Sequence, residues 1–166
     1  MENSKGSPKT RKDFKEMVKD IRIAMLCTIT SEGYIHSRPM GTSDVDEEGN
    51  IWFFTSESSQ KINEVEDNSN VSVCYADPDD NTYVCVMGTA QIVHDRKKID
   101  ELWNPALKIW FPEGKEDPEI VLIKIDPISA EYWDSSSSKM VVLFNMAKAL
   151  VTGKEYDEGE YGKINL

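Results

Sequence analysis

Basic charge is scarce where it would be needed most. Between Ile23 and Asp95 the only lysine or arginine side chains are Arg38 and Lys61, in a protein of formal net charge -11. A chain so poor in cations lacks the footprint that phosphate backbones require, which excludes nucleic acid as a partner. The same deficit disfavours adsorption to anionic lipid. Long apolar runs are missing too: no stretch approaches the roughly 20 residues that span a bilayer, so no membrane partner is expected. The segment MENSKGSPKTRKDFKE has basic residues but no apolar stretch behind them, so no signal peptide is expected and a cytoplasmic location follows. Two histidines and three cysteines without a CxxC pair give zinc no ligand set at usable spacing, and no metal is expected. The turn Asp44-Val45-Asp46-Glu47-Glu48-Gly49 imitates a calcium loop but carries Thr55 where a bidentate glutamate is needed. There is no GxSxG elbow, GxGxxG fingerprint or Walker loop.

What is present suits one soluble domain. A chain of 166 residues, 39% hydrophobic and 30% charged, is long enough to bury a core without staples. Residues 1–9 are polar and read as disordered. Thr10 to Ile21 reads as an amphipathic helix, with Phe14, Met17, Val18 and Ile21 at helical spacing. Strands follow at 24–30, 34–42, 51–55, 71–76 and 82–93, then at 119–125 and 130–133, the last two divided by Asp126-Pro127. Pro39 cannot donate to a ladder, so its strand must be bulged or at an edge there. Short helices are expected from Lys61 to Asp67 and from an Asp95 cap through Leu102, with an aromatic insert at 103–114. Cys27, Cys74 and Cys85 sit in apolar segments and read as reduced core thiols. The tail KEYDEGEYGKINL reads as weakly ordered. Many short strands with few helices point to a mainly β fold, a small barrel with peripheral helices, because closure removes exposed edges.

The chemistry concentrates in HSRPMGTSDVDEEGNIWFFTSESSQK, residues 36–61. Thr55, Ser56, Ser58 and Ser59 lie where a strand gives way to a helix, with Lys61 in its first turn. A helix start offers unpaired N–H groups and the positive end of the dipole. Arg38, on the neighbouring hairpin, can add a bidentate fork. Two readings stand: a seat for a phosphate, or serines that merely cap the helix while Arg38 and Lys61 pair with the many acids. Among the aromatics, Trp133 ends a strand where core packing runs out, a place for a flat ring to stack.

HSRPM (36–40), IWFFTSESSQK (51–61), VSVCYADP (71–78), YVCVMGTAQIV (83–93), ELWNPALKIWFPEG (101–114) and AEYWDS (130–135) occur in an order and spacing that resembles the flavin-binding split-barrel family typified by pyridoxamine 5'-phosphate oxidase, and more closely its general stress protein subgroup. The resemblance implies a six-stranded antiparallel split barrel over residues 10–134, working as a homodimer with FMN at the subunit interface. Residues 135–166 would be a C-terminal extension, packing on the partner or on its own barrel. Carried over by motif, Arg38 and Lys61 would bind the FMN phosphate, Thr55 and Ser59 would supply hydroxyls, and Phe54 and Gln60 would border them. Pro39, Met40, Gly41 and Thr42 would run beside the flavin ring. Tyr83 falls where the family often places a glutamine, and Trp133 would reach the ring from the opposite subunit.

Departures from the pattern matter as much. Gln60 stands where the oxidase has a second basic residue, and Asp134, four serines and Lys139 replace the arginine and histidine that grip its substrate. Pyridoxamine-phosphate oxidation is therefore not expected. The resemblance implies an FMN-dependent oxidoreductase linked to stress, with FAD the less favoured cofactor and the electron donor and acceptor unspecified. No catalytic acid or base stands out beyond His36 and Tyr83. A non-catalytic flavin-binding or flavin-sensing protein, and a flavin-free interaction module using the apolar segment after Ser138, are the rival readings.

Overall fold

The computed structural model describes residues 10–134 and 160–166. Helix α1 (Arg11–Val18) leads into β1 (Ile23–Ile29), β2 (Ile35–Val45), β3 (Ile51–Ser56), α2 (Gln60–Asp67), β4 (Asn70–Asp77), β5 (Thr82–Val93), α3 (Arg96–Leu102), a 3₁₀ turn (Pro105–Ile109), β6 (Ile120–Asp134) and β7 (Glu160–Asn165). Thr10 starts α1 as a capping box, its hydroxyl and the Asp13 carboxylate satisfying each other's backbone N–H groups. Among the described residues no helix is long and apolar enough to cross a membrane.

The strands run β3-β2-β1-β4-β5-β6, all antiparallel, and β3 pairs back onto β6 to close a six-stranded barrel. Its interior is filled from alternate positions, including Leu26, Phe53, Val73, Tyr75, Val84, Val86, Ile123 and Ile125, with Phe14 and Val18 of α1 joining the same core. The run IWFFT is apolar throughout because β3 is covered on both faces. Phe53 points into the barrel, while Trp52 and Phe54 pack outside against Ile99, Phe111 and Leu122.

Strand β6 differs from the sequence reading. Asp126-Pro127 does not divide it, because β5 pairs with it continuously from Thr82↔Asp134 to Val93↔Leu122. Its other edge is shared, Ile120–Ile125 with β3 and Ser129–Asp134 with β7. Pro127 lies in the gap between those two partners, where no ladder donor is required. A bulge between Met87 and Gly88 takes up the extra residue. The tail read as weakly ordered supplies β7, with Ile164 fully buried. Its two glycines and four acidic residues hid a strand of six residues whose apolar signal is Tyr161 and Ile164 alone. The cysteines also depart from expectation: all three are half-buried on the outward side of the barrel, not in its core.

Gly88 can approach β6 because it has no side chain; a Cβ there would stand 2.4 Å from the Asp126 carbonyl oxygen. Gly88→Ala is expected to cost about 1–3 kcal/mol by overpacking against backbone, read as a lower urea midpoint with an unchanged slope. An unchanged midpoint would show that the bulge relaxes freely.

Candidate functional site

The site forms where β2 and β3 part company. All six residues of β3 pair with β6, but β2 meets β3 only from Thr42↔Phe53 to Val45↔Ile51. Beyond the Thr42–Phe53 pair the strands diverge. Pro39, Met40 and Gly41 become one wall of a gap, and Phe54, Thr55 and Ser56 the other. Pro39 is tolerated because this part of β2 has β1 on one side and no β3 partner on the other. Helix α2 starts at the mouth of the gap. The result is a cavity of about 530 Å³ completed by Ile23, Ser59, Lys61, Leu107, Trp110 and Phe111, a size usual for small-molecule sites.

One end of this cavity is polar and cationic. Lys61 Nζ donates to Thr55 Oγ1 at 3.1 Å and to Ser59 Oγ at 2.5 Å. Among the described residues no carboxylate pairs with it. Burial, and then the neighbouring Arg38 charge, hold its pKa below the ordinary lysine value, with Glu64 pulling weakly the other way. Ser59 occupies the N-cap of α2, yet its hydroxyl makes no capping bond and faces Lys61 instead. The first turn of α2 holds no acidic residue, so the helix start keeps its attraction for an anion.

Arg38 is placed differently. Its Nη2 donates to Glu64 Oε2 at 2.5 Å and its Nη1 to Thr28 Oγ1 at 2.8 Å. Glu64 gathers three further donors: Thr28 Oγ1 at 2.5 Å, His36 Nδ1 at 2.9 Å and Gln60 Nε2 at 3.0 Å. With 4% of its surface exposed, this carboxylate is a polar knot tying α2 to β1 and β2. Burial alone pushes its pKa up. The hydrogen bonds from His36 and Thr28, with the charge of Arg38, outweigh that push and hold it below the usual carboxylate range. Arg38 and Lys61 thus stand side by side, one neutralised by a buried acid and the other held by hydroxyls alone.

A profile of the pyridoxamine 5'-phosphate oxidase-like family matches residues 9–157. The chain belongs to that family. It is 31% identical to general stress protein 26 of Bacillus subtilis over 124 residues, 70% of this chain and 86% of that protein. Its fold superposes on a structure described as general stress protein 26 of Jannaschia sp. CCS1 with a TM-score of 0.77, at 28% identity, covering 93% of this chain and 97% of that one. A general stress FMN/FAD binding protein of Xanthomonas citri gives a TM-score of 0.67 at 28% identity, covering 77% and 90%.

Within this family member the cavity gathers eight of the residues singled out from sequence: Pro39, Met40, Gly41, Phe54, Thr55, Ser56, Ser59 and Lys61. Arg38 and Gln60 stand behind that wall, engaged with Glu64. Thr42 shares a 3.1 Å hydrogen bond with the Tyr75 hydroxyl, whose pKa burial pushes up to about 12. Tyr83 and Trp133 face each other across β5 and β6, away from this chain's cavity. Sequence reasoning missed Glu64, which looks like any helix acid, although its i, i+4 spacing from Gln60 was a signal. It also left Leu107, Trp110 and Phe111 unassigned, and the aromatic insert folds back to roof the cavity.

Glu64→Gln removes the charge that Arg38 answers and is expected to destabilise the protein by about 1–3 kcal/mol at neutral pH. Because the folded pKa of Glu64 is depressed, its contribution is complete above the ordinary carboxylate pKa and fades as pH falls through the folded value. The gap between wild type and variant should therefore close below about pH 4. Urea melts at pH 7 and pH 3.5 check this, and a gap that widens in acid would contradict the assignment.

Proposed function

We propose that the cavity binds a flavin, FMN in the first instance, with its phosphate at the Lys61 end. The observation that carries this reading is Lys61 itself: a partly desolvated cation on two hydroxyls, in a cavity wall, with no carboxylate partner among the described residues. The residues fit such a ligand. Lys61, Thr55, Ser59 and the start of α2 would hold the phosphate, with Arg38 held behind them by Glu64. Pro39, Met40 and Gly41 offer backbone to the edge of a ring system, and Phe54, Leu107, Trp110 and Phe111 exclude water from it. The name of the Xanthomonas citri relative, an FMN/FAD binding protein, supports the same class of ligand.

A second copy of the chain belongs to this reading. Tyr83 and Trp133 lie side by side, 40% and 41% exposed, with Trp133 propped against Tyr161 at 5.3 Å between ring centroids. In a homodimer Trp133 would cover the partner's cavity. A bound flavin supplies hydride, electron and oxygen chemistry, so a flavin-dependent oxidoreductase linked to stress, in the cytoplasm, is the activity we favour. A non-catalytic flavin carrier or sensor is the second reading, favoured by one observation. Lys61 is the sole ionisable side chain among the residues lining the cavity, so no general acid or base stands ready there.

Titration with FMN, followed by visible absorbance after gel filtration, tests the binding. Wild type should retain close to one flavin per chain, and a protein that releases all of it would remove the cofactor from this reading. Lys61→Met should weaken binding by about 1.5–3 kcal/mol, the worth of a charged hydrogen bond. It should also leave the ligand-free protein no less stable, since a partly desolvated charge has gone. Trp133→Ala should lower flavin affinity while light scattering still reports a dimer; unchanged affinity would place the ring elsewhere. Turnover of bound flavin with NAD(P)H and an acceptor separates the oxidoreductase from the carrier.

A further inference from the structure

Three thiols that the flavin reading does not use meet on the outward face of the barrel. Cys27 on β1, Cys74 on β4 and Cys85 on β5 are each half-buried and unbridged. Cys74 and Cys85 are direct partners across the β4–β5 ladder, with their sulfurs 3.0 Å apart. On the other side of β4, Met25 faces Cys74 and Cys27 faces Ser72, which sets Cys27 diagonally beside Cys74. Ser37 Oγ donates to Cys27 Sγ at 3.1 Å, and Ser72 Oγ lies 3.7 Å from Cys74 Sγ.

Cys74 is the centre of this group, and the chemistry of the two facing sulfurs differs. The hydrogen bond from Cys85, opposed by burial and aided by Ser72 and Cys27, brings the Cys74 thiol down to about 6. Cys85 is pushed the other way, first by that same bond, then by burial and the charge on Cys74. Glu131, opposite Cys85 on β6, adds negative charge on that side. A thiolate with a protonated thiol in contact is the arrangement in which one sulfur attacks and the other resolves.

We propose that Cys74 and Cys85 form a peroxide-reactive dithiol, Cys74 attacking and Cys85 resolving. The Cys74 thiolate attacks one oxygen of a hydroperoxide; an S–O bond forms, the O–O bond breaks, and the departing oxyanion takes a proton from water. The Cys85 sulfur then attacks the Cys74 sulfenic acid, an S–S bond forms, and the hydroxyl leaves as water with the Cys85 proton. Two thiols give up two electrons and become one disulfide, while the peroxide is reduced to water, or to water and an alcohol. The backbone already permits the bond. Directly opposed residues of an antiparallel pair have Cα atoms about 4.5–5.5 Å apart, inside the range of about 4.4–6.8 Å that disulfides span. The sulfurs need only close by about 1 Å. A small-molecule thiol would restore the pair. Both sulfurs belong to one chain, so a second copy packed over this face would slow the peroxide without changing which thiols join.

The test treats the full-length protein with hydrogen peroxide, alkylates the remaining thiols and maps the peptides by mass spectrometry, a readout independent of flavin content. The expected product is an intrachain Cys74–Cys85 disulfide with Cys27 still alkylatable. Cys85→Ser should halt at a sulfenic acid on Cys74 that dimedone traps, and Cys74→Ser should lower the rate of peroxide consumption by about tenfold or more. Circular dichroism of each variant checks that it is folded, and the wild-type map stands whether or not they are. Three thiols alkylated equally after peroxide, a bridge between chains, or a Cys74→Ser variant as fast as wild type would each overturn the proposal.

Discussion

Strand β3 keeps both its neighbours over only half its length, Ile51 to Phe53, and the site follows from that. Closing the barrel commits all six of its residues to β6, while β2 is led away after the Thr42–Phe53 pair. Strands twist relative to one another and closure needs them tilted and staggered, so two neighbours can pair at one end and part at the other. The ends of β2 and β3 that no longer pair with each other become cavity walls, and α2 starts in the opening between them. A ligand cavity is therefore not carved from a packed core. It is the space that barrel closure leaves open.

Electrostatics divides the labour between two neighbouring cations. Arg38 is fixed by Glu64 and Thr28, with His36 and Gln60 holding the other carboxylate oxygen, so its position is set before any ligand arrives. Lys61 is left with hydroxyls and bears the cost of partial burial beside a like charge. On the proposed function, a buried acid that binds one cation and leaves the next unanswered would make a seat for an anion within a strongly acidic protein.

The fold was legible wherever pattern and period were strong. The span of β5, the α3 helix behind its Asp95 cap and the cluster Thr55, Ser59 and Lys61 all follow from spacing, and the ordered motifs identified the family. Other features were hidden for physical reasons. Asp126-Pro127 looks like a break until β5 is seen to carry the strand across it. The β7 segment has too little apolar signal to be told from a loop. Glu64 cannot be distinguished from its exposed helix neighbours until Thr28, His36 and Arg38 are brought around it. The cysteines read as core because alternation says which residues share a face, not which face is inside.

The sequence by itself determined the mainly β barrel, the family and the residue types of the cavity's polar end, because periodicity, turn chemistry and charge scarcity are local properties. Only the tertiary structure decided that Arg38 answers to Glu64 while Lys61 does not, that Trp110 and Phe111 roof the cavity, and that Cys74 meets Cys85. Those facts depend on strand register and on contacts between residues far apart in the chain. A one-residue slip in strand pairing would have sent Arg38, Cys74 and Cys85 to the opposite face.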